Sequence, residues 1–289
     1  MIISEDIKKR VLEIPLLSVV ATRLLAMTGD ENHSLKDVVN IVENDPYLTA
    51  RVLRIANSAA FSTGHSITTL NKAIIHLGEK IVAGIAIGSC SSKVFNRALE
   101  GYESGPGDLW DHSLQTAIAA REIASYAHHG VSRDLAFTAG LLHDIGKSII
   151  SDLLKGNTEK MAGICKEKSA DFLVAEREII GTDHTEAGYE LALHWRLPEV
   201  LCMAIRHHHK PDNCVDKHKS LVYVIHIADL VAMMGGSGTG ADILNYKIDD
   251  NYEKYVTIGN DDLASIILNV QMEFLRTKKF VTGEQGGLA

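Results

Sequence analysis

The stretch GLLHDIGK, residues 140–147, sets His143 beside Asp144 inside an apolar run, with Gly146 and Lys147 close behind. Burying such a pair without a partner is costly, and a metal ion is one of the few partners that can hold both. Other nitrogen and oxygen donors occur in similar settings: His112 in LWDHSLQTA, His184 in TDHTEAG, His208 and His209 in IRHHHKP, and Asp229 in IHIADLVAMM. Imidazole and carboxylate donors suit Fe, Mn, Zn, Ni or Co. The absence of cysteine from the set argues against a structural zinc site.

Apart from the two adjacent pairs, each of these residues falls on a different predicted helix, and helices in a bundle bring such side chains together in the core. Neighbours on a helix point about 100° apart, so one ion would not easily take both His208 and His209, and a second ion would explain the pair. A single histidine on an amphipathic helix is ordinarily a hydrogen-bonded core or surface residue. His33, His65, His128, His194 and His218 are read that way, and His207 stays open. A divalent ion lowers the pKa of bound water to about 7, and two ions about 3.5–4 Å apart can clamp the attacking and leaving oxygens of a phosphoryl transfer. Asp144 is then the catalytic orienting or proton-accepting group. Lys147, one turn beyond His143, either steadies phosphate charge or is a solvated lysine at the rim.

The elements that must position these groups read as helix after helix. Apolar residues recur every three or four positions through 16–28. Ser34 and Asp37 form a capping box for a helix at 35–44, and Asp45-Pro46 caps and opens the next. Further helices are predicted at 68–77, 79–95, 108–128, from Ser132 through the His-Asp pair, and at 158–168, 171–180, 184–195, 199–209, 218–234 and 261–277. The Gly-rich break at 97–110 divides an N-terminal helical lobe, 1–105, from a helical bundle, 106–235. A C-terminal extension with one helix covers 236–289. GGSGTG, 235–240, follows no strand and precedes no GK[ST], so it reads as a flexible connector rather than a phosphate loop; the terminal GEQGGLA reads as disordered.

The bulk numbers agree with an all-α protein of 289 residues, with 5 prolines and 6% aromatics. A net charge of −8 disfavours a general nucleic-acid binder but leaves room for a small phosphorylated ligand. The 4 cysteines are scattered without a CxxC, as expected of reduced thiols in the cytoplasm. The start MIISEDIKKR lacks a secretory pattern, and IVAGIAIGSC, 81–90, is about half the length of a membrane span.

The strings HSLQTA, LLHDIGK, HTEAG, IRHHHKP and HIADL together resemble the HD superfamily of metal-dependent phosphohydrolases. DPYLTARVLRIANSAAF, 45–61, and ITTLNKAIIHLGEKIVAGIAIG, 67–88, resemble the HDOD family of bacterial signal-transduction proteins; the likeness runs over roughly residues 10–235. The resemblance implies an all-α fold in which an N-terminal helical lobe packs on an HD-type bundle. It implies one metal on His112, His143, Asp144 and Asp229. As in the two-metal HD-GYP cyclic-di-GMP phosphodiesterases, Asp144 would bridge to a second ion on His184, His208 and His209, since the position of His207 is often aromatic in relatives. Fe or Mn is the expected metal, with Ni, Co or Zn as alternatives. Many HDOD proteins have lost some of these ligands and are regulatory, whereas this chain keeps the set. The Gly-Tyr-Pro segment of HD-GYP enzymes is missing, because DNCVDKHKS follows HHHKP. Two functions follow as expectations: a signalling protein with an intact, dinuclear metal site and a protein partner, or an active phosphohydrolase on a nucleotide or cyclic dinucleotide. Neither expectation includes a membrane or nucleic-acid partner.

Overall fold

The helices of the N-terminal lobe are short. In the computed structural model, which describes residues 5–27, 34–57, 61, 66–90, 97–168, 170–242 and 246–282, α1 (Glu5–Glu13), α2 (Val19–Met27), α3 (Leu35–Glu43), α4 (Pro46–Ala56), α5 (Leu70–Leu77) and α6 (Glu79–Cys90) form this lobe. Helices α1 and α3 each bury a narrow apolar stripe, whereas 81–86 of α6 is buried all round. Helix α1 escapes the sequence reading because only Ile7 and Val11 of its nine residues are buried. Asp37 accepts from the Ser34 amide and hydroxyl, which closes the expected capping box at α3. Val38, Val42, Val52, Ile74, Ile81 and Ile85 meet in an apolar core.

The second region is built from α7 (Asp108–Ile123), α8 (Arg133–Leu142), α9 (Lys147–Leu154), α10 (Thr158–Lys168), α11 (Phe172–Ile180), α12 (His184–His194), α13 (Glu199–His207) and α14 (Asp216–Met234). Helix α15 (Asn260–Thr282) closes the chain and packs on α7 and α14. No strand occurs among the described residues, only the isolated bridges Leu99–Ser104 and Ala127–Val256. The fold is therefore all-α, with the N-terminal helices packed on the larger bundle through α6 against α8 and α1 against α12. Buried apolar residues of both regions belong to one continuous core.

Helix 108–128 of the sequence reading ends at Ile123 and the last helix runs on to Thr282, but two other helix ends matter for the site. Helix α8 stops at Leu142, so His143 and Asp144 lie in a four-residue turn before α9, not inside a helix. Helix α13 stops at His207, so His208 and His209 lie in a turn as well. The Gly-rich segment also departs from a flexible connector: Ser237, Thr239 and Asp242 are buried and bonded against the bundle. The terminal GEQGGLA, His33 and His65 lie outside the described residues.

Candidate metal centre

The turn at 143–146 is held against the start of α12 by a requirement for glycine. A Cβ at Gly146 would lie 1.9 Å from the His184 carbonyl oxygen and 2.5 Å from the Gly188 amide nitrogen. That close approach brings the His143-Asp144 pair to His184. Helix α12 itself is started by Asp183, whose carboxylate accepts from the Thr185 and Glu186 amides, so His184 occupies the first helical position.

Two groups of donors converge there. His112 Nε2 from α7 and His143 Nε2 from the turn lie 3.3 Å apart, and each is 3.0 to 3.5 Å from Asp144 Oδ2 of the turn and Asp229 Oδ1 of α14. An ion bound at about 2.0–2.2 Å places its ligand atoms about 3.0–3.5 Å apart. Asp144 turns its other oxygen, Oδ1, to His184 Nε2 at 3.4 Å and His208 Nε2 at 3.5 Å, and His209 Nε2 lies 3.1 Å from His184 Nε2. Asp144, His184, His208 and His209 thus form one group that could hold a metal, and His112, His143 and Asp229 form another. His208, still in right-handed helical backbone at the C-cap of α13, and His209, the next residue in the turn, fall in the same group of donors. Asp144 stands between the groups with one oxygen toward each.

The outer nitrogens of four of the five rings are taken. His112 Nδ1 bonds the Ser237 carbonyl at 3.0 Å, His143 Nδ1 the Gly140 carbonyl at 2.8 Å, and His208 Nδ1 the Ile205 carbonyl at 2.9 Å. His184 Nδ1 bonds the Glu176 carboxylate at 2.9 Å. A carbonyl only accepts, so these Nδ1 atoms carry the proton and Nε2 is left as a lone pair aimed inward. The inner atoms Asp144 Oδ1, His208 Nε2, His209 Nδ1 and Asp229 Oδ1 are buried without a hydrogen-bond partner. Orphaned inward lone pairs, ringed by outward-donating nitrogens, are what a cation site requires, and the residues present fit one.

Without a cation, the site moves its protons instead. Burial pulls the His143 imidazole down, but the Asp144 charge and the Asp144 and Asp229 hydrogen bonds outweigh it and push its pKa to about 10. His112 and His184 are also raised against the effect of burial, by Asp144 and Asp229 and by Glu176 respectively. Burial, with the charged neighbours His143 and His184, lowers His208 to about 4, and burial with His208 lowers His209 well below the usual range. Burial opposes ionisation of Asp144 and Asp229, yet Lys147 with His143, and His112 with His143, hold them well below the ordinary carboxylate value.

Lys147 is not a solvated rim lysine, because it is fully buried. Its ammonium donates to Asp144 Oδ2 at 2.6 Å, Thr239 Oγ1 at 2.8 Å and Asp242 Oδ2 at 2.5 Å, which uses all three of its protons. His207 is half-buried and belongs to neither donor group. His128 bonds Thr257 and Lys254, and His194 bonds the Ile14 carbonyl, as ordinary histidines do.

Several residues escaped the sequence reading. Glu176 accepts from both the amide and Nδ1 of His184, and receives the Tyr102 hydroxyl at 2.6 Å. Its signal was a glutamate on the apolar stripe of FLVAEREII, beside Phe172 and Leu173. His226 donates to the His208 carbonyl at 2.7 Å and fixes that turn. Asp242 and Tyr246, whose ring stacks on His209 at 3.7 Å between centroids, carry no pattern that marks them in advance.

Fold and site define a helical protein with a buried cluster of histidines and aspartates able to hold metal. The sequence model of the HDOD domain matches residues 14–211, and the chain belongs to that family. Asp229 and the segment that covers Lys147 lie beyond the matched stretch. A solved HDOD domain protein with unknown function from Geobacter sulfurreducens is 24% identical, with a TM-score of 0.67 over 96% of this chain and 93% of its own. A protein from Marinobacter aquaeolei VT8, provisionally named as a signal transduction protein, is 19% identical with a TM-score of 0.72 over 98% of this chain and 61% of its own. One from Shewanella amazonensis SB2B, provisionally named as a phosphohydrolase, is 23% identical with a TM-score of 0.63 over 97% of this chain and 95% of its own. These likenesses establish the fold. An uncharacterized protein of Treponema pallidum is 22% identical over 79% of this chain and 44% of its own length. Ribonuclease Y of Thermus thermophilus is 35% identical over 38% of this chain and 14% of its own. The chain therefore spans less than half the length of these curated relatives. No described helix is long and apolar enough to cross a membrane.

Proposed function

We infer that the chain is a regulatory HDOD protein built around a dinuclear metal centre. One ion would sit on His112, His143, Asp144 and Asp229, and the other on Asp144, His184, His208 and His209. Fe or Mn suits these N and O donors best, and Ni, Co and Zn are the other candidates. The observation that carries this reading is Asp144, which is fully buried and turns one oxygen to each donor group. The regulatory role is supported by the state of Lys147, whose protons are all taken by protein oxygens. As the chain stands, that ammonium offers nothing to a substrate.

A second reading, a phosphohydrolase or phosphodiesterase on a nucleotide or cyclic dinucleotide, is favoured by the same complete donor set with a lysine beside it. Bound ions would supply Lewis acidity toward a phosphoryl oxygen. Asp144 would hold the two halves of the centre in register. Lys147, freed from Asp242, would neutralise phosphate charge. The proposed partners are a phosphorylated nucleotide ligand and a signalling protein. Three unpaired, buried cysteines (Cys165, Cys202, Cys214) fit a cytoplasmic location.

The test is hydrolysis of bis(p-nitrophenyl) phosphate and of nucleotides by protein loaded with Mn(II) or Fe(II). The regulatory reading expects stoichiometric metal and no turnover above that of Asp144→Ala. Turnover that Asp144→Ala abolishes would replace it with the enzymatic one.

A further inference from the structure

Asp242 sits in a cradle of donors with a cation at its base. The Lys147 ammonium reaches Asp242 Oδ2 at 2.5 Å, the Thr239 hydroxyl lies 3.0 Å from both carboxylate oxygens, and the Tyr246 hydroxyl donates to Oδ2 at 3.1 Å. Asp242 is completely buried, as is Lys147. A few ångströms away the Tyr246 ring lies on the His209 imidazole at 3.7 Å, with 12° between the planes. One short stretch of chain therefore places an anion on the lysine next to the donor clusters and a flat ring on one of the candidate metal ligands.

The described residues 235–242 of this stretch lie outside any helix. It follows the end of α14 at Met234 and passes through Gly236 and Gly240, both at positive φ. A Cβ at Gly240 would stand 1.9 Å from the Tyr102 carbonyl oxygen, so the close seat on Tyr102 exists only because residue 240 is glycine. The Ala241 amide then donates to that same carbonyl at 2.7 Å. The Ser237 carbonyl, in the same stretch, accepts from His112 Nδ1. Movement here would thus reach the donor set as well as uncover Lys147.

We propose that residues 239–242, with Thr239 and Asp242, together with the Tyr246 side chain are internal occupants of a binding site for a phosphate monoester carrying a flat ring, with Asp242 in the phosphate position on Lys147 and Tyr246 in the ring position on His209. The inference rests on the metal-centre reading for the identity of the face being covered. A ligand with a phosphate and a ring offers both contacts in one molecule. It binds by displacing the segment, and its apparent affinity is lowered by the fraction of molecules in which the segment is seated. The site is thereby autoinhibited, and the C-terminal extension becomes the element that responds to the ligand.

The test is titration calorimetry on the full chain loaded with Mn(II), with inorganic phosphate and a nucleoside 5′-monophosphate as probes. Asp242→Asn, which keeps the shape and removes the charge, is expected to bind phosphate about tenfold more tightly than the original chain. The gain should vanish in the double variant Asp242→Asn/Lys147→Gln. Tyr246→Leu should improve nucleotide binding more than phosphate binding. Equal or weaker phosphate binding by Asp242→Asn overturns the proposal, as does a gain that survives loss of Lys147. If Asp242→Asn fails to fold, hydrogen exchange of the Ala241 amide in the unaltered protein decides the matter: saturating nucleotide should lower its protection at least about tenfold, and unchanged protection overturns the displacement. Metal content measured on the same samples separates the two readings. A metal-free chain would overturn the dinuclear centre, while the phosphate comparison would still judge the plug, because the Lys147–Asp242 contact needs no ion.

Discussion

The two halves of the molecule bury different things. Among the described residues, every buried polar or charged side chain lies between Ser104 and Asp242, and the helices before residue 97 bury only apolar ones. The N-terminal lobe is a core of valine, isoleucine, leucine and alanine on short helices. The bundle sinks His112, His143, Asp144, Lys147, Glu176, His184, His208 and Asp229 to nearly zero exposure. Buried ionisable groups are costly unless fully partnered, and a lobe that only needed to fold would not accumulate them. The contrast puts the groups that could hold metal in one region and a purely apolar core in the other, and substitutions in each should fail in different ways.

The largest effect is expected at Asp144. Asp144→Ala should abolish metal binding in both groups and, with Lys147 left one carboxylate short, should destabilise the metal-free protein by about 3–5 kcal/mol in urea unfolding. Ile74→Ala, in the apolar lobe, should cost about 2–5 kcal/mol but leave metal per folded chain unchanged; a matching loss of metal would blur the division between the regions. Glu176→Gln keeps the shape but weakens the acceptor that orients His184, and should lower metal affinity about 10–100-fold, read by competition with a chelator.

The pH dependence follows from His143. Its folded value near 10 lies above an unfolded value of about 6.5, so in metal-free protein its contribution to stability is complete below about 6.5 and fades as pH rises toward 10. Ion binding must expel that proton, so metal affinity should climb with pH over the same window. Thermal unfolding of chelator-treated and metal-loaded protein across that range should show the dependence in the first and its loss in the second. The smallest effect is expected at a helix end in the apolar lobe: Thr69→Ala removes the side-chain acceptor of the Lys72 amide at the start of α5 and should cost about 0.5–1 kcal/mol with no change in metal content.

Helical periodicity and caps made the scaffold legible. Ser34 with Asp37 and Asp45-Pro46 mark helix starts that the structure places within a residue or two. The donor residues were legible as types in an improbable setting. Their convergence depended on something periodicity does not encode: where a helix stops. His143 and His208 are the C-caps of α8 and α13, and Asp144 and His209 follow in the turns beyond them. Glycine 146 held the clue for the first, since only a residue without a Cβ lets that turn touch the His184 carbonyl. Asp242 was invisible for a different reason. Its role comes from a fold-back onto Lys147, a contact between residues 95 positions apart, and local sequence carries no trace of such a pairing.

If Asp144 joins two cation sites, elemental analysis of the purified, Mn- or Fe-loaded chain will find two ions per chain, one after Asp229→Ala, one after His209→Ala, and none after Asp144→Ala. A chain that takes up no metal under these conditions, or an Asp144→Ala variant that retains the original content, would contradict it.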